Sequence, residues 1–135
     1  MRKPISPTLH GIIDYATVAA VVAAPRMFDF PEEAERLCYG LAASYLGVSL
    51  MTDYPLAVRR TIPFKAHGAT EALIGAALPA MPWLLGFSEH KAARNFILGL
   101  TALTAVTAAL TDWDEEEDDE IAELVRQRRR AMRAA

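Results

Sequence analysis

Two histidines in this sequence are each followed, four positions later, by a carboxylate. His10 precedes Asp14, and His67 precedes Glu71, with a glycine directly after each histidine. Residues four positions apart lie on one face of an α-helix, so each pair presents an imidazole and an acid together. Such groups bind divalent metals, move protons or form buried ion pairs, and the spacing alone leaves all three kinds of chemistry open.

The segments that carry these pairs are long and almost free of charge. No Asp, Glu, Lys or Arg occurs in residues 15–25, 37–52, 72–88 and 95–111. A bilayer core needs roughly 20 helical residues, whereas a soluble bundle needs charge on an outward face at helical spacing. The sequence therefore predicts an all-α, four-helix transmembrane bundle with spans at 9–28, 37–58, 66–87 and 95–113.

The chain has 135 residues and a single cysteine, Cys38. One cysteine excludes an internal disulfide and a cysteine-based zinc or iron–sulfur site. The first apolar run is interrupted by Asp14 and ends at Pro25, so we expect a retained span rather than a cleaved leader. Lys and Arg in the short loops favour cytoplasmic termini and a cytoplasmic loop at 59–65.

The two halves of the apolar region match each other. We expect a four-span domain over residues 1–113, built from tandem helical hairpins at about 9–58 and 66–113. Parallel repeats of this kind are related by a pseudo-twofold axis along the membrane normal. The matching signatures are His10-Gly11-x-x-Asp14 with His67-Gly68-x-x-Glu71, Pro25 with Pro82, and Thr52-Asp53-Tyr54 with Thr111-Asp112-Trp113.

The second half contains Met81-Pro82-Trp83-Leu84-Leu85-Gly86-Phe87, then a polar loop, and then a Gly- and Ala-rich helix that begins at Asn95. This arrangement resembles the SPW-repeat family of small bacterial integral membrane proteins, in which one span ends at a Ser-Pro-Trp motif and a second follows. The resemblance covers about residues 10–113. Met81 stands in place of the serine, and the first half has Ala24-Pro25-Arg26 instead. The resemblance implies a membrane location and hairpin duplication, and it brings no established activity.

The proposed topology gathers polar residues at one end of the bundle. In parallel hairpin repeats, the starts of odd helices and the ends of even helices share one membrane face, which here is cytoplasmic. Ionisable groups at membrane depth usually face the bundle interior. The candidate metal ligands, for Zn, Fe or Mn, are His10, Asp14, Asp53, His67, Glu71 and Asp112.

Three interpretations of this cluster stay open. Inward carboxylates and imidazoles build metal sites in helical bundles, although the spacing differs from the Glu-x-x-His of di-iron proteins. The histidines also suit a proton or ion path, or a pocket for a small polar ligand. The favoured interpretation is a structural or interaction role, in which the acids bond the histidines and hold the two halves together. A metal- or ligand-binding membrane protein is the alternative, and enzymatic activity is left undecided.

The expected partners are the lipid bilayer and further copies of the chain. Small residues let helices approach closely in lipid and form two stripes, Gly40, Ala43, Ser44 and Gly47, and Gly68, Ala72, Gly75 and Ala76. Residues 114–135 predict a charged cytoplasmic helix, acidic at first and then rich in arginine. Its basic patch is short and lacks aromatic residues, so nucleic acid is not an expected partner.

Overall fold

The computed structural model describes residues 3–114, 127, 128 and 130–132. Within residues 3–114 there are five α-helices and one 3₁₀ turn, and no strand beyond two isolated bridges. The all-α class predicted from the sequence is confirmed. The helices are α1 (Pro7–Met27), α2 (Glu32–Met51), α3 (Phe64–Ala77), α4 (Met81–Leu84) and α5 (Lys91–Leu110), and the turn (Leu78–Ala80) links α3 to α4.

Capping side chains explain where two of the long helices begin. The Ser6 hydroxyl accepts the N–H of Leu9 at 3.3 Å, and Pro7 occupies the first helical position, where a missing N–H costs nothing. His90 caps α5 by accepting the N–H of Ala93 at 3.2 Å. These caps satisfy donors that have no partner within a helix, and they fix the starting points of α1 and α5.

The third predicted span is interrupted. Pro79 and Pro82 lie inside the span predicted at 66–87, and α3 ends at Ala77, before a 3₁₀ turn that contains Pro79. Pro82 then lies in the first turn of α4. A proline lacks an N–H and its ring collides with the preceding turn, which breaks the regular hydrogen-bond pattern.

Two short parallel bridges tie distant segments together where α1 and α3 begin. Ile5 pairs with Thr111, and Ile62 pairs with Thr52. In each bridge the isoleucine exchanges two backbone hydrogen bonds of 2.7–3.1 Å with the residues on either side of the threonine. The end of α5 is thereby held beside the start of α1, and the end of α2 beside the start of α3.

The apolar core lies at the opposite end of the long helices. It is built from late α1, early α2, the turn after α3 and early α5, and Cys38 is fully buried in it. Its members are Val21, Ala24, Phe30, Ala34, Cys38, Ala42, Leu78, Phe87, Ala93 and Ile97. The polar residues that could do chemistry therefore lie away from this core, at the bridged end.

The outer surface is strongly apolar. Two helices, α1 and α5, are long and apolar enough to cross a membrane, and only 33% and 17% of their apolar windows are buried. On α3 and α4, Leu73 and Leu84 are 74% and 71% exposed. On α2, nothing lies within 4 Å of a Cβ built at Gly40 or Gly47, so this stripe faces outward. The predicted homo-oligomer stays a prediction.

Most of the predicted charged tail lies outside the described residues, including Arg126, Arg129 and Arg133. Residues 127, 128 and 130–132 are helical.

Candidate metal centre

Four buried side chains meet between α1 and α3. His10 and Asp14 come from α1, and His67 and Glu71 come from α3, with exposed fractions of 0%, 1%, 0% and 3%. One ligand atom from each of the four lies within 4.8 Å of the others. The His-x-x-x-acid spacing places each pair on the inner face of its helix, and the bridges hold the start of α1 beside the end of α5 and the start of α3 beside the end of α2.

The distances within this group are short and nearly equal. The two Nε2 atoms of His10 and His67 are 3.4 Å apart. His10 Nε2 lies 3.4 Å from Asp14 and 3.3 Å from Glu71, and His67 Nε2 lies 3.4 Å and 3.7 Å from the same two carboxylates. Ligands bound at about 2.0–2.1 Å in a tetrahedral zinc site are separated by about 3.3–3.4 Å. The two histidines face different oxygens of each carboxylate, and one ligand atom from each residue lies within 4.8 Å of the others, so the group is close enough to surround one ion.

Two threonines decide which nitrogen of each imidazole carries the proton. The hydroxyls of Thr111 and Thr52 donate to the backbone carbonyls four residues earlier, at 2.6 Å and 2.7 Å. The same oxygens lie 2.9 Å and 2.8 Å from the Nδ1 atoms of His10 and His67. A hydroxyl has one proton, so each threonine oxygen must accept from Nδ1–H. A neutral imidazole held in this way turns an unprotonated Nε2 toward the centre.

With neutral imidazoles and ionised acids, this arrangement brings four electron-pair donors together. Two Nε2 lone pairs and two carboxylates would repel one another in a buried site unless a proton or a metal ion lies among them. A second hydrogen bond that fixes the tautomer of a ligating histidine is a common feature of metal sites. The group can therefore hold a divalent metal ion with nitrogen and oxygen ligands.

Aromatic rings cover the histidines. The ring of His10 lies 5.0 Å from that of Trp113 and 5.3 Å from that of Phe64, in edge-on contacts. Tyr54 makes a similar contact with His67, at 6.2 Å between ring centres. An apolar cover of this kind controls solvent access and lowers the local dielectric around a bound ion.

The glycine after each histidine makes room for one of these rings. A Cβ on Gly11 would lie 2.8 Å from the Tyr54 ring, and one on Gly68 would lie 2.7 Å from the Trp113 ring. Carbon atoms do not approach so closely, so only glycine admits the aromatic side chain at each position. The sequence pattern His-Gly therefore has a packing cause.

The two carboxylates differ in their support. Asp14 Oδ2 accepts hydrogen bonds from the hydroxyls of Ser49 at 3.3 Å and Tyr54 at 3.4 Å. Glu71 Oε2 is buried and has no hydrogen-bond partner among the described residues. The Asp14 carboxylate is therefore held in place, whereas Glu71 has one oxygen that accepts no hydrogen bond from the described residues.

Two predicted ligands lie elsewhere. Asp53 is exposed and forms an ion pair of 3.9 Å with Arg60. Asp112 accepts the backbone N–H of Lys3 at 3.2 Å. The structure does not bring these two carboxylates to the buried group. Nearby, Lys65 donates to exposed Asp114 at 2.6 Å, and this contact holds the pKa of the Asp114 carboxyl below its usual range.

Ser49 and Phe64, which support the site, were not predicted from the sequence. Within the triplets Thr52-Asp53-Tyr54 and Thr111-Asp112-Trp113, the aspartates were predicted as ligands and the threonines were not. In both triplets the threonine and the aromatic residue face the site, and the aspartate faces outward. The repeated triplet was a usable signal for the threonines. Tyr54 looks like an interfacial aromatic in the sequence, yet it is only 1% exposed.

Comparisons of the chain with protein-family models, curated proteins and solved structures found no match.

Proposed function

We propose that this chain is a small multi-pass membrane protein that holds one divalent transition-metal ion between His10, Asp14, His67 and Glu71. The observation that carries the proposal is the pair of threonine-fixed imidazoles, whose unprotonated Nε2 atoms face each other at 3.4 Å beside two buried acids. Two imidazoles and two carboxylates form a donor set that suits Zn²⁺, Fe²⁺ or Mn²⁺.

The charge balance supports a divalent ion. Two buried carboxylates carry two negative charges, and two neutral imidazoles carry none. Isolated charges are costly in a low-dielectric interior, and the cost falls when an ion of opposite charge neutralises them. One divalent cation would make the whole group neutral, which suits a site surrounded by apolar helices.

We further infer four membrane spans in two tandem hairpins. The segment from α3 through α4 extends over residues 64–84, which is long enough for a third span, and the leucines on its outer face are exposed. Three pairs of equivalent contacts support the duplication. Each half contains one histidine and one threonine that bond to their counterparts in the other half, one bridged threonine, and one glycine covered by an aromatic ring. The resemblance to the SPW-repeat family and the cytoplasmic placement of both termini belong to this proposal.

Elemental analysis of the detergent-purified chain tests the metal site. We expect about one bound transition-metal ion per chain, and loss of that ion in a His10→Ala, His67→Ala double variant. The matched controls are Asp53→Asn and Asp112→Asn, which remove carboxylates outside the buried group and should keep the metal.

Three observations together would refute the metal site. A chain that purifies without metal, binds none when zinc is added, and melts at the same temperature with or without chelator holds no ion. The four residues would then form a buried polar network that joins the two halves, as the structural interpretation of the sequence expects.

A further inference from the structure

A groove of about 340 Å³ lies between α3 and α5 and reaches the candidate metal centre at Glu71. Its walls are small side chains, among them Ala72, Gly75 and Ala105. The volume falls at the lower end of the range for small-molecule sites, about 300–1,000 Å³. Because the groove opens on the outer face of the helices, a molecule dissolved in the bilayer could enter it from the side.

The other hairpin has larger side chains at four of the corresponding positions. When His10 is aligned with His67 and Thr52 with Thr111, four small wall residues of α3 and α5 match bulkier ones on α1 and α2. The pairs are Ala72 with Tyr15, Gly75 with Val18, Thr104 with Tyr45, and Ala105 with Leu46. The groove therefore depends on a specific difference between the hairpins and does not follow from general helix packing.

Glu71 supplies the polar end of the groove. Its side chain lines the groove, is 3% exposed, and has an Oε2 atom without a hydrogen-bond donor. The nearest polar atom, His10 Nε2 at 3.3 Å, has no proton to donate when the Thr111 contact fixes the tautomer. The matching acid, Asp14, is bonded by Ser49, and the residue aligned with Ser49 is Ala108 in the groove wall.

The remaining polar groups of the groove are already used. Thr101 and Thr104 donate their hydroxyl protons to the carbonyls of Ile97 and Leu100, both at 3.0 Å. A ligand that fits must therefore be slender and apolar along its length, and must donate one hydrogen bond at its inner end. An anionic head would be repelled by the carboxylate, and a cationic head would be costly to bring through lipid.

We propose that this groove binds a slender apolar alcohol from the bilayer, with its hydroxyl donating to Glu71 beside the metal ion. The inference rests on the proposed metal centre and names the class of molecule that reaches it. A hydroxyl that donates to the Glu71 carboxylate forms a hydrogen bond to a charged group, so the site should select for the alcohol over an analogue that lacks the hydroxyl.

Photolabelling of the zinc-loaded, detergent-solubilised full chain tests the inference. A diazirine derivative of octanol is irradiated with the protein, and mass spectrometry locates the adducts. We expect adducts on the groove residues of α3 and α5. Unlabelled octanol should compete about tenfold better than octane, since one hydrogen bond to a charged group accounts for a difference of that size.

Groove-filling variants provide the matched comparison. Gly75→Val with Ala105→Leu introduces the residue types found at the corresponding positions of the other hairpin, Val18 and Leu46. A Cβ at Gly75 would meet only Thr104 Cγ2, at 3.8 Å, so the first change has room. We expect groove labelling to fall at least about tenfold. Gly99→Val, on α5 with nothing within 4 Å, should leave it unchanged.

Metal content measured on the same samples separates the two proposals. Labelling spread evenly over the exposed helix faces, equal competition by octane, or full labelling of the filled variant would overturn the groove inference while the metal stays bound. A parent chain that holds no metal but is still labelled in the groove would instead refute the metal centre. If the double variant does not fold, the single Ala105→Leu variant carries the same comparison.

Discussion

Thr52 and Thr111 control the hydrogen bonding of the two buried histidines. Each hydroxyl has one proton and donates it to a backbone carbonyl in its own last helical turn, so its oxygen can only accept from the histidine. This choice leaves Nε2 of each imidazole free to bind a cation. The direction of one hydrogen bond therefore decides whether the buried histidines act as donors or as metal ligands.

Replacing Thr52 with valine should weaken metal binding. Valine keeps the branched shape but cannot accept from His67 Nδ1, and loss of such a partner typically lowers metal affinity 10- to 100-fold. Thr52→Ser keeps the hydroxyl and should bind nearly as well as the parent chain. Zinc competition against a chromophoric chelator measures both affinities. Equal affinity for the valine and serine variants would show that the threonine does not set the tautomer.

At the scale of the helices, close contacts between aromatic rings and glycines hold the site together. The connection after α2 places the Tyr54 ring directly on Gly11 of α1, and the segment after α5 places Trp113 on Gly68 of α3. Both contacts come from residues just beyond a helix end, next to the bridged threonines. The helix ends, rather than the helix middles, therefore determine how α1 and α3 approach each other.

Gly11→Ala should destabilise the fold by about 1–3 kcal/mol, because the new methyl group would overlap the Tyr54 ring and force a repacking. Gly40→Ala is the matched control, since its Cβ points into open space and alanine favours a helix by up to about 1 kcal/mol. Denaturant or thermal unfolding in detergent gives both values. A Gly11→Ala chain as stable as the parent would mean that Tyr54 is not packed on α1.

At the scale of the whole molecule, the exposed apolar surface indicates what surrounds the protein. Large side chains such as Leu73, Leu84 and Val106 are more than half exposed, while the inward side of α3 carries His67 and Glu71. Large exposed apolar areas mark contact with a membrane or another protein. We propose that lipid covers this surface and that both termini lie on the cytoplasmic side.

Cysteine labelling tests this topology. In a Cys38→Ala background, Glu89→Cys lies in the loop before α5 and Arg59→Cys lies in the connection between α2 and α3. We expect an impermeant maleimide to label Glu89→Cys in intact cells, and Arg59→Cys only after permeabilisation. The reverse pattern would invert the topology, and a chain released by alkaline washing would not be an integral membrane protein.

The helical class could be predicted from the sequence alone, and so could the pairing of His10 with Asp14 and of His67 with Glu71. Both follow from local patterns, because uncharged segments of about 20 residues suit membrane helices and residues four positions apart share one helix face. The sequence also predicted that His10 and His67 would meet, because both begin apolar helices in matching segments.

Which neighbours complete the site depends on contacts between distant parts of the chain. The sequence selected Asp53 and Asp112 as ligands, whereas the parallel bridges turn Thr52 and Thr111 inward and leave both aspartates outside. Side chains of adjacent residues point in different directions, and the direction depends on a pairing with a segment about 10 or 106 residues away in the chain. The lone acceptor on Glu71 and the open groove beside it also arise from long-range packing, which no local pattern specifies.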